Sequence, residues 1–275
     1  MISLKKINNC RVKPIKVPSY NPDKIKGYEL FSELYSNIFL LAKKKSGKTN
    51  CIFKIIKKSI NKNTNVIIFC STVQKDSNWI EIIKWLKQND INFETYTSIF
   101  DEDKSNIVEM LAKDLENQCN EELNESSSEE EECKYISVNC NKKEKEEEKK
   151  YVYKPKKIAP EFLLIFDDLS TELRSKYISG ILKKNRHLKM KIILSSQYST
   201  DLEPQAISQL DYMLIFKGIP ETKLEIIHKQ LDLSIDYIKF KQMYEEATKD
   251  RYNFYYIDVR SETFRKNFDK EFEIN

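Results

Sequence analysis

"IFLLAKKKSGKT", residues 38–49, decides the fold. Apolar residues run into Ala42, three lysines follow, and the stretch closes on Gly47, Lys48 and Thr49. Strand, short loop, Gly-Lys-Thr and helix is the order a phosphate-binding loop needs. Such a loop curls consecutive backbone N–H groups around a phosphate at a helix N-terminus. The predicted nucleotide-binding set is Lys45, Ser46, Gly47, Lys48, Thr49 and Asn50. Gly47 supplies close backbone approach, Lys48 an ammonium for the β- and γ-phosphates, and Thr49 a hydroxyl for Mg2+. The usual pattern carries another glycine where this chain has Ala42. That position eases the turn off the strand, and alanine fits it at negative φ. Lys43, Lys44 and Lys45 fall in the loop crown, where only backbone amides are required. Their side chains are free to face solvent or a polyanion.

Outward from this loop, apolar β runs alternate with helical patterns. Residues 36–42, 65–70, 162–168, 190–197, 212–218 and 253–259 read as strands, with a short one at 92–97. Residues 48–60, 78–88, 170–184, 203–210, 221–230 and 235–247 read as helices, and 101–116 shows some helical spacing. Strands that are continuous apolar runs, separated by helices, predict an α/β domain with a mostly parallel central sheet flanked by helices on both faces.

Two strand ends carry chemistry. "FLLIFDDLS" (162–170) brings Asp167 and Asp168 to the carboxyl edge of a strand, where open α/β sheets bind ligands. Asp167 would hold Mg2+ through water, and Asp168 would polarise an attacking water. Alternatively, Asp168 or Ser170 caps the helix that follows. "MKIILSSQYS" ends its strand in Ser195, Ser196 and Gln197, and Gln197 beside the acidic pair would bond a γ-phosphate. A polar strand end at a turn is the plainer reading. His187 and His228 lie far apart with no metal-like companions.

The formal net charge is +4 over 275 residues, unevenly spread. Residues 121–150 hold eleven Glu against six Lys, a net of −5, and residues 101–120 are a net of −4. Without these stretches the rest stands at +13, a basic core suited to sequence-independent phosphate contacts. Lys43–Lys45, "ILKKNRHLKMK" and "VRSETFRKNF" are its densest basic places. The expected organisation is an N-terminal extension at 1–30, a nucleotide-binding domain at 31–118 and 158–275, and an acidic low-complexity insert at 119–157. The insert has no apolar periodicity and is expected to be disordered. The six cysteines show neither paired nor metal-ligand spacing, which suits reduced, intracellular usage. No run reaches the ~18 apolar residues of a membrane span. The first residues are too charged for a signal peptide, so a soluble, non-secreted protein with no membrane partner is expected.

Taken together, "LLAKKKSGKT", "LLIFDDLS", "KKNRHLKMKIILSSQ" and "YNFYYIDVRSETFRKNF" resemble the genome-packaging ATPases of large DNA viruses, the poxvirus-type branch of the FtsK–HerA superfamily of P-loop ATPases. The loop and the acidic strand are generic to P-loop ATPases. The Arg-His before the Gln-ended strand and the aromatic strand before "FRKNF" are more specific. The resemblance implies a RecA-like ATPase that works as a homo-oligomeric ring, binds ATP and Mg2+ between subunits, and drives double-stranded DNA into capsids. It implies portal or vertex proteins as partners, and the cytoplasmic virus factory or the virion as location. It assigns Lys48 and Thr49 the loop roles, Asp167 the magnesium, Asp168 the catalytic carboxylate and Gln197 the sensor. A neighbour's arginine finger is expected, with Arg186 the first candidate and Arg174 the second. A cellular or plasmid-type translocase and a nucleotide-binding scaffold without turnover are the alternatives.

Overall fold

The computed structural model describes residues 21–126, 157–169 and 171–274. Residues 1–20 of the expected extension, 127–156 of the expected insert, and the candidate cap Ser170 lie outside them. In chain order the elements are β1 (Asn37–Leu41), α1 (Lys48–Ser59), β2 (Asn65–Cys70), α2 (Ser77–Gln88), β3 (Phe93–Tyr96) and α3 (Ile107–Ser126). There follow β4 (Phe162–Asp167), α4 (Lys176–Lys184), β5 (Met190–Ser196), α5 (Pro204–Ile207) and β6 (Tyr212–Phe216). The chain continues through α6 (Glu221–Gln230), α7 (Tyr237–Ala247), β7 (Phe254–Asp258), β8 (Thr263–Lys266) and β9 (Lys270–Glu271).

Among the described residues the strands form one sheet in the order β3-β2-β4-β5-β1-β6-β7-β8-β9. The strands from β1 to β6 pair in parallel, and β7, β8 and β9 add on antiparallel. Successive residues of a strand face opposite sides of a sheet, and here both sides are apolar. Phe39, Leu41, Phe69, Leu164, Phe166, Ile192 and Leu194 pack on one face with residues of α4, α6 and α7. Ile38, Leu40, Ile68, Leu163, Ile165, Ile193 and Leu214 pack on the other with Ile52, Ile55 and Ile56 of α1 and Trp79, Ile82 and Leu86 of α2. Each such side chain, fully withdrawn from water, contributes about 1.5–3 kcal/mol. Covering both faces is what turns these strands into uninterrupted apolar runs.

Three expectations change. The segment 170–184 is not one helix: a single 3-10 turn (Glu172–Arg174) precedes α4, whose N-cap is Ser175. The helix expected at 101–116 starts later, at Ile107, and runs on to Ser126, into the expected insert. The basic-aromatic C-terminal stretch is sheet, because Phe264 is buried against Tyr255 and the cations of β8 find acidic partners. Arg265 pairs with Glu271, and Lys266 with Glu246 and Asp250.

"ILKKNRHLKMK" is also engaged internally. Lys184 pairs with Glu116, Arg186 with Asp211, and Lys189 with Glu161. Lys191 is 1% exposed and donates to the Glu33 carbonyl at 2.9 Å and to Ser36 Oγ at 3.1 Å. It ties the segment before β1 to the start of β5. Burial pushes its pKa down to about 7, against the opposing pull of Asp211 and Glu33. The unfolded lysine keeps its proton to near the ordinary value of 10.5. Between these values the unfolded state binds more protons, so this group adds stability as pH rises. Chemical denaturation of wild type and Lys191→Met at pH 7 and pH 10 should therefore show wild type gaining relative to the variant at the higher pH. Parallel pH dependence in the two proteins would contradict a buried, weakly basic Lys191.

Candidate functional site

The site grows from three neighbouring strand ends. β4, β5 and β1 lie side by side, with Asp167 opposite Ser195 and Leu41 opposite Ser196. The acidic pair, Gln197 and the lysine-rich loop therefore leave the same edge of the sheet. Ala42 is fully buried, and its N–H donates to the Ser196 carbonyl at 2.9 Å, extending the β1–β5 ladder by one rung. Its φ is not positive. Alanine replaces glycine here because the chain needs a small core residue and no left-handed backbone.

The turn comes later in the loop. Lys45 has φ 62° and Gly47 has φ 94°. At Gly47 a Cβ would also sit 3.1 Å from Tyr252 Cδ1, so the position excludes side chains twice over. Gly47 is the N-cap of α1 and offers no side-chain cap, which leaves first-turn N–H groups for a ligand. Ser46 Oγ is buried with no hydrogen-bond partner among the described residues.

Lys48 Nζ lies 2.8 Å from Asp167 Oδ1, and both side chains are largely buried. Asp167 is 2% exposed, and its Oδ2 accepts from the indole Nε1 of Trp79 at 3.0 Å. Oδ1 has the lysine ammonium beside it and no directed hydrogen bond. A buried carboxylate oxygen held this way is poised to exchange its partner for a cation or for metal-bound water. No group of three or more His, Cys, Asp or Glu side chains is placed to hold a metal among the described residues. A cation here would take one carboxylate, the Thr49 hydroxyl and substrate phosphates, which is the sparse oxygen set magnesium accepts. The residues therefore fit Mg2+.

Asp168 has φ 57°, an uncommon conformation for a residue other than glycine. It caps no helix: the N-cap side chain on α4 belongs to Ser175, which accepts from the Tyr177 N–H. The Asp168 carbonyl accepts from Ser71 Oγ at 3.1 Å, fixing the turn from β2 as well. Its exposed carboxylate faces a cavity of about 650 Å3. That cavity is also lined by Lys45, Gly47, Lys48, Thr49, Asn50, Asp167 and Gln197. Of the expected residues, Ser46 adjoins this lining within the same loop. Gln197 is held by its neighbours, since Ser196 Oγ bonds Asp201 and accepts from the Tyr198 N–H.

Arg186 is the expected residue that stays away. It precedes β5 at the opposite edge of the sheet, is 53% exposed, and pairs with Asp211 at 3.3 Å. Burial raises the Asp211 pKa, partly offset by the Asn37 N–H and by Arg186 itself. Arg174 does not line the cavity either; its Nε donates to the Thr200 carbonyl at 3.0 Å. The residues that sequence reading missed are Trp79, Arg251 and Tyr252. Arg251 and Tyr252 line the cavity, with the guanidinium 4.7 Å from the tyrosine ring centre. A second cavity of about 410 Å3 shares Gly47, Asn50 and Tyr252 with the first and extends to Lys54, Asn267 and Phe268. A Trp in a helical stripe reads as core, and an Arg-Tyr pair in a turn carries no periodic signal, so no motif pointed to them. Cys51 and Cys70 are inert by comparison, since burial pushes the first up to about 12 and raises the second.

Residues 120–262, just over half of the chain, match the family described as Poxvirus A32 protein. The matched span holds the acidic strand, Gln197 and β7, and begins after the Gly-Lys-Thr loop. Among solved structures, the genome packaging NTPase B204 from Sulfolobus turreted icosahedral virus 2 in complex with AMP is 18% identical, with a TM-score of 0.50, over 88% of this chain and 100% of that one. Its complex with AMPPCP gives 18%, 0.49, 85% and 97%. The cytoplasmic domain of the Thermomonospora curvata type VII secretion ATPase EccC gives 12%, 0.44, 80% and 24%. At such identity the AMP complex supports a shared fold and nothing finer. No curated protein matches the sequence significantly. By the family match, the chain belongs to the Poxvirus A32 protein family.

Proposed function

We propose that this protein is an ATP-hydrolysing motor that moves double-stranded DNA into capsids during virion assembly. One observation carries the reading: Lys48, Asp167, Asp168 and Gln197 converge on one cavity at adjacent strand ends, in a chain of the Poxvirus A32 family. The AMP complex of B204, described as a genome packaging NTPase, shares the fold, with which this reading is compatible. No helix among the described residues is long and apolar enough to cross a membrane.

In the proposed cycle, the triphosphate lies along the loop from Gln197 to Asn50. Lys48 leaves Asp167 and reaches the β- and γ-phosphates. Asp168 accepts a proton from the attacking water, and Gln197 hydrogen-bonds the γ-phosphate. Bound Mg2+, held by Thr49 and through water by Asp167, would offset phosphate charge. The base end passes Asn50 into the second cavity, against Tyr252. The protein works as a homo-oligomeric ring at the site of virion assembly, with portal or vertex proteins as partners. The charge on the transferred phosphoryl group calls for a neighbour's arginine, Arg186 or Arg174. For Arg186 the pair with Asp211 must open. A scaffold without turnover is disfavoured because the Asp168 carboxylate faces the cavity and makes no hydrogen bond or ion pair among the described residues.

Phosphate release by the purified protein, with and without duplex DNA, tests this. Lys48→Ala and Asp168→Asn should each lower DNA-stimulated hydrolysis by about 10²–10⁴-fold. Unchanged turnover in both variants would sink the assignment. A chelator should abolish hydrolysis and added Mg2+ restore it; activity that survives chelation would remove the metal. Tyr252→Ala should raise KM for ATP about tenfold with little change in kcat, and Tyr252→Phe should restore KM, because stacking on the ring is uniform binding. A drop in kcat at unchanged KM would instead place Tyr252 in the chemical step.

A further inference from the structure

Of the three basic places legible in the sequence, two are consumed by internal pairing. The cations of β8 and most of those flanking β5 have acidic partners or are buried; the exposed Lys183 instead donates to Gln205 Oε1. The loop crown is different. No carboxylate pairs with Lys43, Lys44 or Lys45 among the described residues, and the same holds for Lys223. Lys43, Lys44 and Lys223 line a separate cleft of about 510 Å3. Gln197 and Tyr198 complete its polar wall, and no acidic residue among the described ones lines it.

The cleft is built rather than incidental. The Lys43 stem lies over Gly218, whose φ is 97°, at van der Waals distance: a Cβ there would sit 3.4 Å from Lys43 Cδ. Lys223 Nζ stands 4.7 Å from the centre of the Tyr198 ring. Tyr198 is 51% exposed although it follows a fully buried strand. Its backbone N–H is fixed by Ser196 Oγ, which is itself bonded to the buried Asp201. Three unneutralised ammonium groups and a phenol hydroxyl, converging with no carboxylate among them, suit a row of phosphates.

We propose that this cleft grips the phosphodiester backbone of duplex DNA, and that Gln197 couples the grip to the nucleotide. The inference rests on the motor reading above. Gln197 lines both this cleft and the ATP cavity, and Lys44 does the same. Tyr198 is the next residue in the chain. A change of hydrogen bonding at the γ-phosphate therefore displaces a DNA contact one peptide away. The duplex is favoured over a single strand because Lys223 occupies one face of the Tyr198 ring. That leaves the ring less able to stack bases, while backbone contact needs only its edge.

Fluorescence anisotropy with a labelled 30-base-pair duplex and a single strand of equal length, over a salt series, tests the cleft. Lys223→Glu and Tyr198→Ala, neither of which touches the ATP cavity, should keep DNA-free ATP hydrolysis within twofold. Lys223→Glu should weaken duplex binding about tenfold and lower the slope of log affinity against log salt by about one. Both variants should lose most of the DNA stimulation of hydrolysis. Unchanged duplex affinity and salt slope in both would overturn the cleft while leaving the motor reading intact. Tighter binding of the single strand, lost in Tyr198→Ala, would overturn the duplex assignment. A wild type that binds duplex through Lys223 but never hydrolyses ATP would support the cleft as a DNA site and overturn the motor.

Discussion

The ion pair between Lys48 and Asp167 is the contact on which the site depends. It joins the first residue of α1 to the last residue of β4, two elements separated by over a hundred residues and brought together only by the sheet. Two charges this deep are costly to desolvate, and mutual attraction repays that cost only with good geometry and further hydrogen bonds. Trp79 supplies such a bond to the second carboxylate oxygen. The packing of α2 on the sheet, through the same Trp79, thus sets where the acidic side chain points. Core and site are not separable here.

The strand order carries the remaining geometry. A chain that placed β4 and β1 at opposite edges would own the same residues and no cavity. The order β4-β5-β1 sets the three functional ends side by side, and the ladders fix their height to within a residue. The antiparallel addition of β7 and β8 then delivers the turn that carries Arg251 and Tyr252 over Gly47. Parallel core and antiparallel extension thereby close the nucleotide cavity from two sides.

Much of this was legible in the sequence, for physical reasons. Double-sided burial makes strands continuous apolar runs, so β1, β2, β4, β5 and β6 stand out, and the residues at their ends follow. The Lys48–Asp167–Asp168–Gln197 set came from that logic. What was not legible depended on pairing across distance. Lysines counted as nucleic-acid contacts in "ILKKNRHLKMK" turned out to be engaged with Glu116, Glu161 and the Glu33 carbonyl, none of which is near in sequence. The C-terminal stretch read only as a dense basic place because a four-residue, half-buried strand gives a weak signal. Arg186 was a candidate only for a finger reaching a neighbour, so its place at the strand's beginning, away from its own cavity, does not bear on that role.

The closed Lys48–Asp167 pair also bears on how a cycle would reset. An empty site with a bare buried carboxylate or ammonium would be unstable, and the pair removes both charges at once. An incoming phosphate would therefore compete with Asp167 for the same ammonium, which would lower apparent affinity. After turnover the competition would run the other way: Asp167, which pairs with Lys48 at 2.8 Å, would reclaim it as the phosphates leave. The carboxylate that would help to seat the substrate thus doubles as the group that evicts the product.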